Sequence, residues 1–513
     1  MKYDHIVVGG GTAGCILAAK LSEDQGRSVL LLEAGPEYPD FEQLPEMLKN
    51  GWGLINLQAR AANSPFNWSF TGNATPRQSE PMPVPRGKVL GGSSAINGQT
   101  FIRGAPEDFD TWASWGNDEW SYIKVLPYFR QIENDEDFRD DFHGTNGPVP
   151  VRRHKREDWP PLQEAFYQAC VSAGYPYNPD NHDPDATGVS LRAENNVDGV
   201  RMSMALTHIE PNRNRLNLTI KANVQVMRIA FSGKLATGLE VESGGERFLV
   251  EGDQITLCAG AVGSPQLLML SGIGPRDQLA PLDIPVVVDA PGVGQNMRDH
   301  PNVVVRFTVN EDRPDETVAR RALRLRYTAT ASPTPNDMIL SPSSLNTVVK
   351  EDVDPTHSIN CGLYLAVGKG ELRLVSTDPN VQPSMDYHYL EEPWDRERLR
   401  EAIRKCVTLL EDGAYGEIVN QRTAPTDADL SSDESLDEWM LRTVSTSFHI
   451  SGTCKMGVAG DSMAVVDQYL NVRGVQGLRI ADASVMPDVV RANTNVTTMM
   501  IAERAAEFIR DGR

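Results

Sequence analysis

Gly9, Gly11 and Gly14 stand in a G-x-G-x-x-G arrangement, and an acid, Glu33, follows 19 residues after the last of them. Residues of these types at this spacing can hold a dinucleotide. Gly9 permits a tight turn, Gly11 lets backbone approach a pyrophosphate, and Gly14 lets a helix pack closely on a strand. N–H groups at the start of that helix face the phosphate charge. Thr12 and Ala13 lie inside the same turn, Ala34 sits beside the acid, and Glu33 can accept hydrogen bonds from both hydroxyls of a ribose.

The motif works only if the right elements flank it. His5–Val8 is apolar and predicts a buried strand; Ala13–Ser22, with Ile16, Leu17, Ala18 and Leu21 apolar, predicts an amphipathic helix. Ser28–Leu32 predicts a second strand that ends at Glu33. A glycine turn between packed elements would leave Glu33 unexplained, whereas a strand–turn–helix–strand–acid unit uses every part.

Three later segments carry further chemistry. Pro85–Asn97 contains Gly91, Gly92, Ser93 and Ser94, whose N–H groups and hydroxyls can serve an anionic or polar ligand. Gly260–Gly274 is a second glycine-bearing stretch, preceded by the strand-like Gln254–Cys258 and Ala259. The third runs from Phe448–Gly457 through Leu478–Pro487 to Arg491–Met500. Together with the amino-terminal unit, these segments resemble the glucose–methanol–choline family of flavin oxidoreductases, in order and across nearly the whole chain. The wording HISGTCKMG and ANTN is most similar to bacterial alcohol oxidases and dehydrogenases of the choline and hydroxymethylfurfural branches.

That resemblance implies FAD at Gly9, Gly11, Thr12, Ala13, Gly14, Glu33 and Ala34, with Arg86, Gly91, Gly92, Ser93, Asn97 and Gly98 along the pyrophosphate and isoalloxazine. It implies that backbone at Val226 holds the adenine, that Ala259, Gly260, Asp482 and Ala483 meet the cofactor's middle, and that Asn495, Val496 and Thr497 approach the flavin pyrimidine. His449 aligns with the family's catalytic histidine. The second catalytic position is His or Asn among members; counting back from Met499–Glu503 favours Asn493, with Asn495 as the fallback. Neutral imidazole suits removal of an alcohol proton, an amide N–H can stabilise the developing charge, and FAD does the redox work.

Taken alone, these side chains have plainer explanations. A histidine after Phe448 is ordinarily a core or surface residue, and Asn493 and Asn495 could cap a helix over Val496–Ala506. His300, in Arg-Asp-His-Pro, is expected to be structural, and the other histidines show no metal-ligand spacing, so no metal is expected. Some choline-type members carry a histidine just before the asparagine of GGSSxxN that links to flavin; Ile96 occupies that position and implies non-covalent FAD. Related photodecarboxylases alter the alcohol-oxidising pair, which His449 and Asn493 here retain.

The expected fold class is α/β, α+β overall: a discontinuous Rossmann-like FAD-binding domain from 1–155, 215–305 and 455–513, and a substrate-binding domain of antiparallel sheet backed by helices from 156–214 and 306–454. Leu216–Lys221 and Ala236–Val241 predict strands, and Pro291–Asn296 a turn. Thr328–Pro335 and Ser341–Ser344 predict loops, and Asp395–Leu410 predicts a helix with Leu399, Ile403, Val407 and Leu410 on one face.

A length of 513 residues suits two or three domains. A net charge of -21 argues against nucleic acid or an anionic membrane as partner. No run approaches the ~20 apolar residues of a membrane helix, and the chain is strand-like by Tyr3, without room for a signal segment. Six scattered cysteines predict reduced core thiols and a cytoplasmic protein. The function implied is FAD-dependent oxidation of an aryl, furanic or other primary alcohol, with oxygen or a quinone as acceptor. A sugar or glycoside oxidase and a non-redox flavoprotein lyase are the alternatives. No acidic cage for a quaternary ammonium can be located from spacing, and oligomeric state is not legible.

Overall fold

The strand Lys2–Val8 pairs in parallel with Val29–Leu32 on one side and with Glu246–Leu257 on the other. Leu218–Lys221 extends the sheet beyond Val29–Leu32, and Leu478–Ile480 lies beyond Ile255–Leu257, both also parallel. Ile6, Val7, Val29 and Leu31 are wholly buried, as strands covered on both faces require, and their unbroken apolar runs follow from that. The structure, a computed structural model of the chain, describes residues 2–52, 55–310, 322–343, 357–416 and 418–513. The outer half of Glu246–Leu257 turns to antiparallel pairing with Leu235–Ser243, which pairs in turn with Gln225–Ser232.

Register decides where the chemistry sits. Val8 is level with Leu32 and Leu257, Leu32 with Lys221, and Leu257 with Ile480. The chain therefore leaves the sheet at Gly9, Glu33, Cys258 and Ala481 along one carboxyl edge, where open α/β sheets form a ligand crevice. The helix Thr12–Leu21 packs on this sheet and against the helix Thr494–Arg510, Lys20 in the last turn of the first lying 3.3 Å from the buried Glu503 midway along the second.

An eight-stranded sheet, antiparallel save for one short pair, stands opposite this edge. Its inner strands are Pro301–Val309, His357–Leu363, Met338–Ser343 and Leu323–Tyr327. Val303, Val305 and Phe307 point to a buried side, while Asn302, Val304 and Arg306 alternate with them and face a cavity. The helix Pro393–Leu410 backs the sheet against His357–Leu363. Leu399, Ile403 and Leu410 are buried as the periodicity predicts; Val407 is half-exposed, and Cys406 and Leu409 take the core positions beside it.

The segment from Ser341 to Ser343 is strand rather than loop. Pro342 is tolerated because Leu323–Tyr327 pairs only as far as Leu340, leaving Pro342 paired on one side, to Ile359. Ser344 lies outside the described residues. The strand Pro301–Val309 lies across the boundary expected at 305 and belongs by pairing to the second sheet. No described helix is long and apolar enough to cross a membrane.

Candidate active site

Between the carboxyl edge of the first sheet and the face of the second lies a cavity of about 1180 Å³. At its sheet end, the helix Thr12–Leu21 starts directly over the loop after Val8. Gly14 permits that approach, because a Cβ there would stand 1.8 Å from the Gly9 carbonyl oxygen. A Cβ at Gly11 would instead project into open space, meeting only Cys258 O at 3.9 Å and Gly92 Cα at 4.0 Å. Bare backbone is thus presented to whatever fills the cavity.

Glu33 is 5% exposed and holds this loop: its Oε2 accepts from Gly10 N and its Oε1 from Gly35 N, each at 2.8 Å. Burial pushes its carboxyl up to about 7, against the pull of those N–H groups. Asp482 accepts from Gly260 N at 2.9 Å and from the Ser264 hydroxyl at 2.6 Å, so it ties the end of Leu478–Ile480 to the start of the helix Gly260–Leu270. Thr12 Oγ1 donates to Asn495 Oδ1 at 2.8 Å, joining the starts of the two long helices. Asn495 Nδ2 and Thr497 Oγ1 are buried without partners. An extended crevice, bare glycine backbone at a helix start, a buried acid and the unmet Asn495 amide on the cavity wall fit FAD.

His449 is 9% exposed and faces the same cavity. It follows Phe448, held at φ +66 with its N–H on Thr446 Oγ1 at 2.7 Å. Asn493 immediately precedes the helix Thr494–Arg510, yet its side chain makes no capping bond. It lies with Nδ2 2.8 Å from His449 Nε2, and its Oδ1 is buried without a partner.

The protonation pattern follows from the partners behind the ring. His300, fully buried, has Nε2 3.0 Å from the Val490 carbonyl oxygen, which can only accept. His300 Nε2 therefore carries hydrogen, and in the neutral ring Nδ1 is left as an acceptor. That Nδ1 lies 2.9 Å from His449 Nδ1, so His449 donates there and keeps an unprotonated Nε2 toward Asn493 and the cavity. Burial drives His300 well below the usual imidazole range. Burial, then the charges of Arg86 and Arg324, lower His449 to about 3. Asp299 Oδ1 accepts the backbone N–H of His300 at 2.7 Å and of His449 at 2.9 Å, and Tyr364 stacks on His300 with ring centroids 4.0 Å apart. His300 is thus part of the site's support, which its expected structural role understated.

Of the residues expected to hold cofactor, Gly9, Gly11, Thr12, Ala13, Glu33 and Ala34 line the cavity. So do Arg86, Gly92, Ser93, Asn97 and Gly98, and on the other wall Val226, Ala259, Gly260, Asp482, Ala483 and Asn495. Gly14, Gly91, Val496 and Thr497 do not: Gly14 packs on Gly9, and Val496 and Thr497 are buried in the first turn of their helix behind Asn495. Asn495 bonds Thr12 instead of capping. Ile96 is buried and lines the cavity. Sequence reasoning missed Asp299, Tyr364 and the cationic lining residues Arg192, Arg306 and Arg324; only the Arg-Asp-His-Pro wording offered a signal for the first.

Sequence spacing also hid a second histidine cluster. Ligand atoms of Glu133, Asp135, His143 and His182, all buried, lie within 4.8 Å of one another. Guanidinium groups already engage the carboxylates, Arg103 on Glu133 and Arg153 on Asp135 at 2.9 Å, and His143 stands between Asp140 and Asp180. We read it as an ion-pair network.

Comparison with known proteins finds relatives along nearly the whole chain. Residues 3–302 and 366–502 each match a family model described as GMC oxidoreductase. An oxygen-dependent choline dehydrogenase of Burkholderia pseudomallei is 36% identical over 552 residues, covering 99% of this chain and 94% of its own. A GMC-type oxidoreductase of Rhodococcus erythropolis is 36% identical over 509 residues, covering 99% and 98%. Among solved structures, pyridoxine 4-oxidase from Mesorbium loti superposes with a TM-score of 0.90 at 30% identity, over 99% of both chains.

Proposed function

The chain belongs to the GMC oxidoreductase family, FAD-dependent enzymes that oxidise alcohols, and from that premise we propose how its own side chains divide the work. The substrate hydroxyl lies where His449 Nε2 and Asn493 Nδ2 converge. His449 accepts the hydroxyl proton at Nε2, and Asn493 donates to the oxygen as charge develops on it. FAD, held without a covalent link at the sheet end, supplies the acceptor for hydride from the carbinol carbon.

The observation that carries this assignment is the pair itself. Asn493 Nδ2 stands 2.8 Å from the His449 nitrogen that the His300 contact leaves unprotonated, and the substrate hydroxyl takes the place of that bond. Once His449 has taken the proton it keeps its Nδ1–H on neutral His300, so the imidazolium is never left without an acceptor. Asp299 holds the backbone N–H groups of both histidines, and Tyr364 stacks on the His300 ring. Ile96 supports the non-covalent cofactor, because its side chain offers no nucleophile where it lines the cavity. The six cysteines are all buried free thiols, which supports a reducing, cytoplasmic setting. A primary alcohol with an aryl or furanic body is the substrate expected on resemblance.

An anaerobic panel of alcohols tests the reading. Bleaching of the yellow oxidised flavin supports it; turnover with the flavin still oxidised identifies a lyase instead. Admitting oxygen, or a quinone, to the bleached protein then identifies the acceptor by the return of colour.

A further inference from the structure

The roof of the cavity carries positive charge that no acid among the described residues answers. Arg324, on the strand Leu323–Tyr327, is 4% exposed and lines the cavity near Tyr364. Its Nε and Nη1 are buried with no acceptor. Arg192 meets Glu194 and Arg491 meets Asp108, each at 2.7 Å, and Arg398 meets Asp337 at 2.9 Å; Arg201 and Arg326, which also lack a carboxylate among the described residues, bond backbone carbonyls away from the cavity. Arg306, on the strand Pro301–Val309 three places away in the same sheet, also lines the cavity, half-buried and with no carboxylate among the described residues. In a chain of net charge -21, the lack of an acid beside these two groups among the described residues is a local feature and not a shortage of acids.

The acids that line the cavity among the described residues are Glu33 and Asp482, and both are committed at the sheet end, to Gly10 and Gly35 and to Gly260 and Ser264. A buried guanidinium with unmet donors is costly, and a ligand carboxylate is the group that relieves it most directly. We propose that the substrate is an alcohol that also bears a carboxylate, its acid group held by Arg324, with Arg306 a more distant cation on the same sheet face, while its hydroxyl meets His449 and Asn493. This rests on the alcohol-oxidising function and narrows it. A cationic alcohol such as choline would find two guanidinium groups and, among the described residues, no acid at the roof. The charge of Arg324 is also among the causes that depress His449, so a carboxylate placed on it leaves the base more basic for acid-bearing substrates than for neutral ones.

The holoenzyme is assayed with 4-(hydroxymethyl)benzoate, its methyl ester and choline, and binding of benzoate and of benzamide is followed separately by perturbation of the flavin absorption. The proposal expects kcat/KM for the acid to exceed that for the ester by about 100-fold, and benzoate to bind far tighter than benzamide. Arg324→Gln should collapse both ratios toward one, with Arg324→Lys between the two. An acid no better than its ester, a preference for choline, or a ratio unmoved in Arg324→Gln would overturn it. If that variant does not fold, the wild-type ratios decide. If every alcohol is inert, the oxidase function fails, and the benzoate and benzamide titrations still judge the anion site alone.

Discussion

His300 Nδ1 lies 2.9 Å from His449 Nδ1, with the rings edge to face and their centroids 5.0 Å apart. A neutral imidazole here takes the place of the carboxylate that usually orients a catalytic histidine. Because Val490 fixes the hydrogen on His300 Nε2, one backbone carbonyl sets the tautomer of a base two residues away along a hydrogen-bond chain.

Removal of that acceptor should disable the base without emptying the cofactor site. His300→Ala is expected to lower kcat by about 100-fold with KM little changed and FAD retained. His300→Asn, whose amide oxygen can stand near the former Nδ1, should recover part of the loss. Steady-state kinetics with flavin content measured alongside checks both; a loss equal in the two variants would mean that His300 only fills space.

The pH profile follows from the depressed imidazole. Protonation at Nε2 stops proton abstraction, and His449 is held near 3 in place of the usual 6.5. For a neutral alcohol, kcat/KM should therefore show no acid limb near pH 6.5 and stay level down to about pH 5. A limb at 6.5 with a neutral substrate would show that the ring titrates as though exposed.

Glu33 makes cofactor affinity pH-dependent. Its carboxyl, raised to about 7 by burial, must ionise to serve ribose hydroxyls, so binding releases a proton below that pH. Affinity of the apoprotein for FAD should rise between pH 5 and 7 and level off above. In the apoprotein the same raised group adds stability that is fully present below pH 4.5 and is lost as pH climbs through 7. Glu33→Gln should abolish the pH dependence of FAD affinity and weaken binding about tenfold, by calorimetry in buffers of different ionisation enthalpy.

Asn493→Ala removes the donor to the substrate oxygen and should lower kcat by about 100- to 1000-fold with FAD occupancy unchanged. Asn495→Ala should instead loosen FAD, since it frees Thr12 at the start of the phosphate-facing helix. The two asparagines are thereby separated by which measurement each one moves.

What could be read from the sequence was what is local. Gly9, Gly11, Gly14 and Glu33 lie within one strand–helix–strand unit, so their spacing alone placed them on a shared edge, and the register of Val8 with Leu32 bears that out. His300 and His449 are 149 positions apart, and no periodicity connects them. Arg324 looks like any strand arginine until four strands are folded into a sheet and one face is turned to the cavity. Ser341–Ser343 misled because Pro and Ser ordinarily mark loops, and only the one-sided pairing of Pro342 explains the strand.

The central claim is that the His449 imidazole takes the proton from a bound alcohol. Rapid mixing of anaerobic His449→Ala protein, loaded with FAD, against a good alcohol substrate tests it most directly. The account predicts a protein that keeps its flavin and reduces it at least 1000-fold more slowly than wild type. Flavin reduction at the wild-type rate in that variant would contradict it.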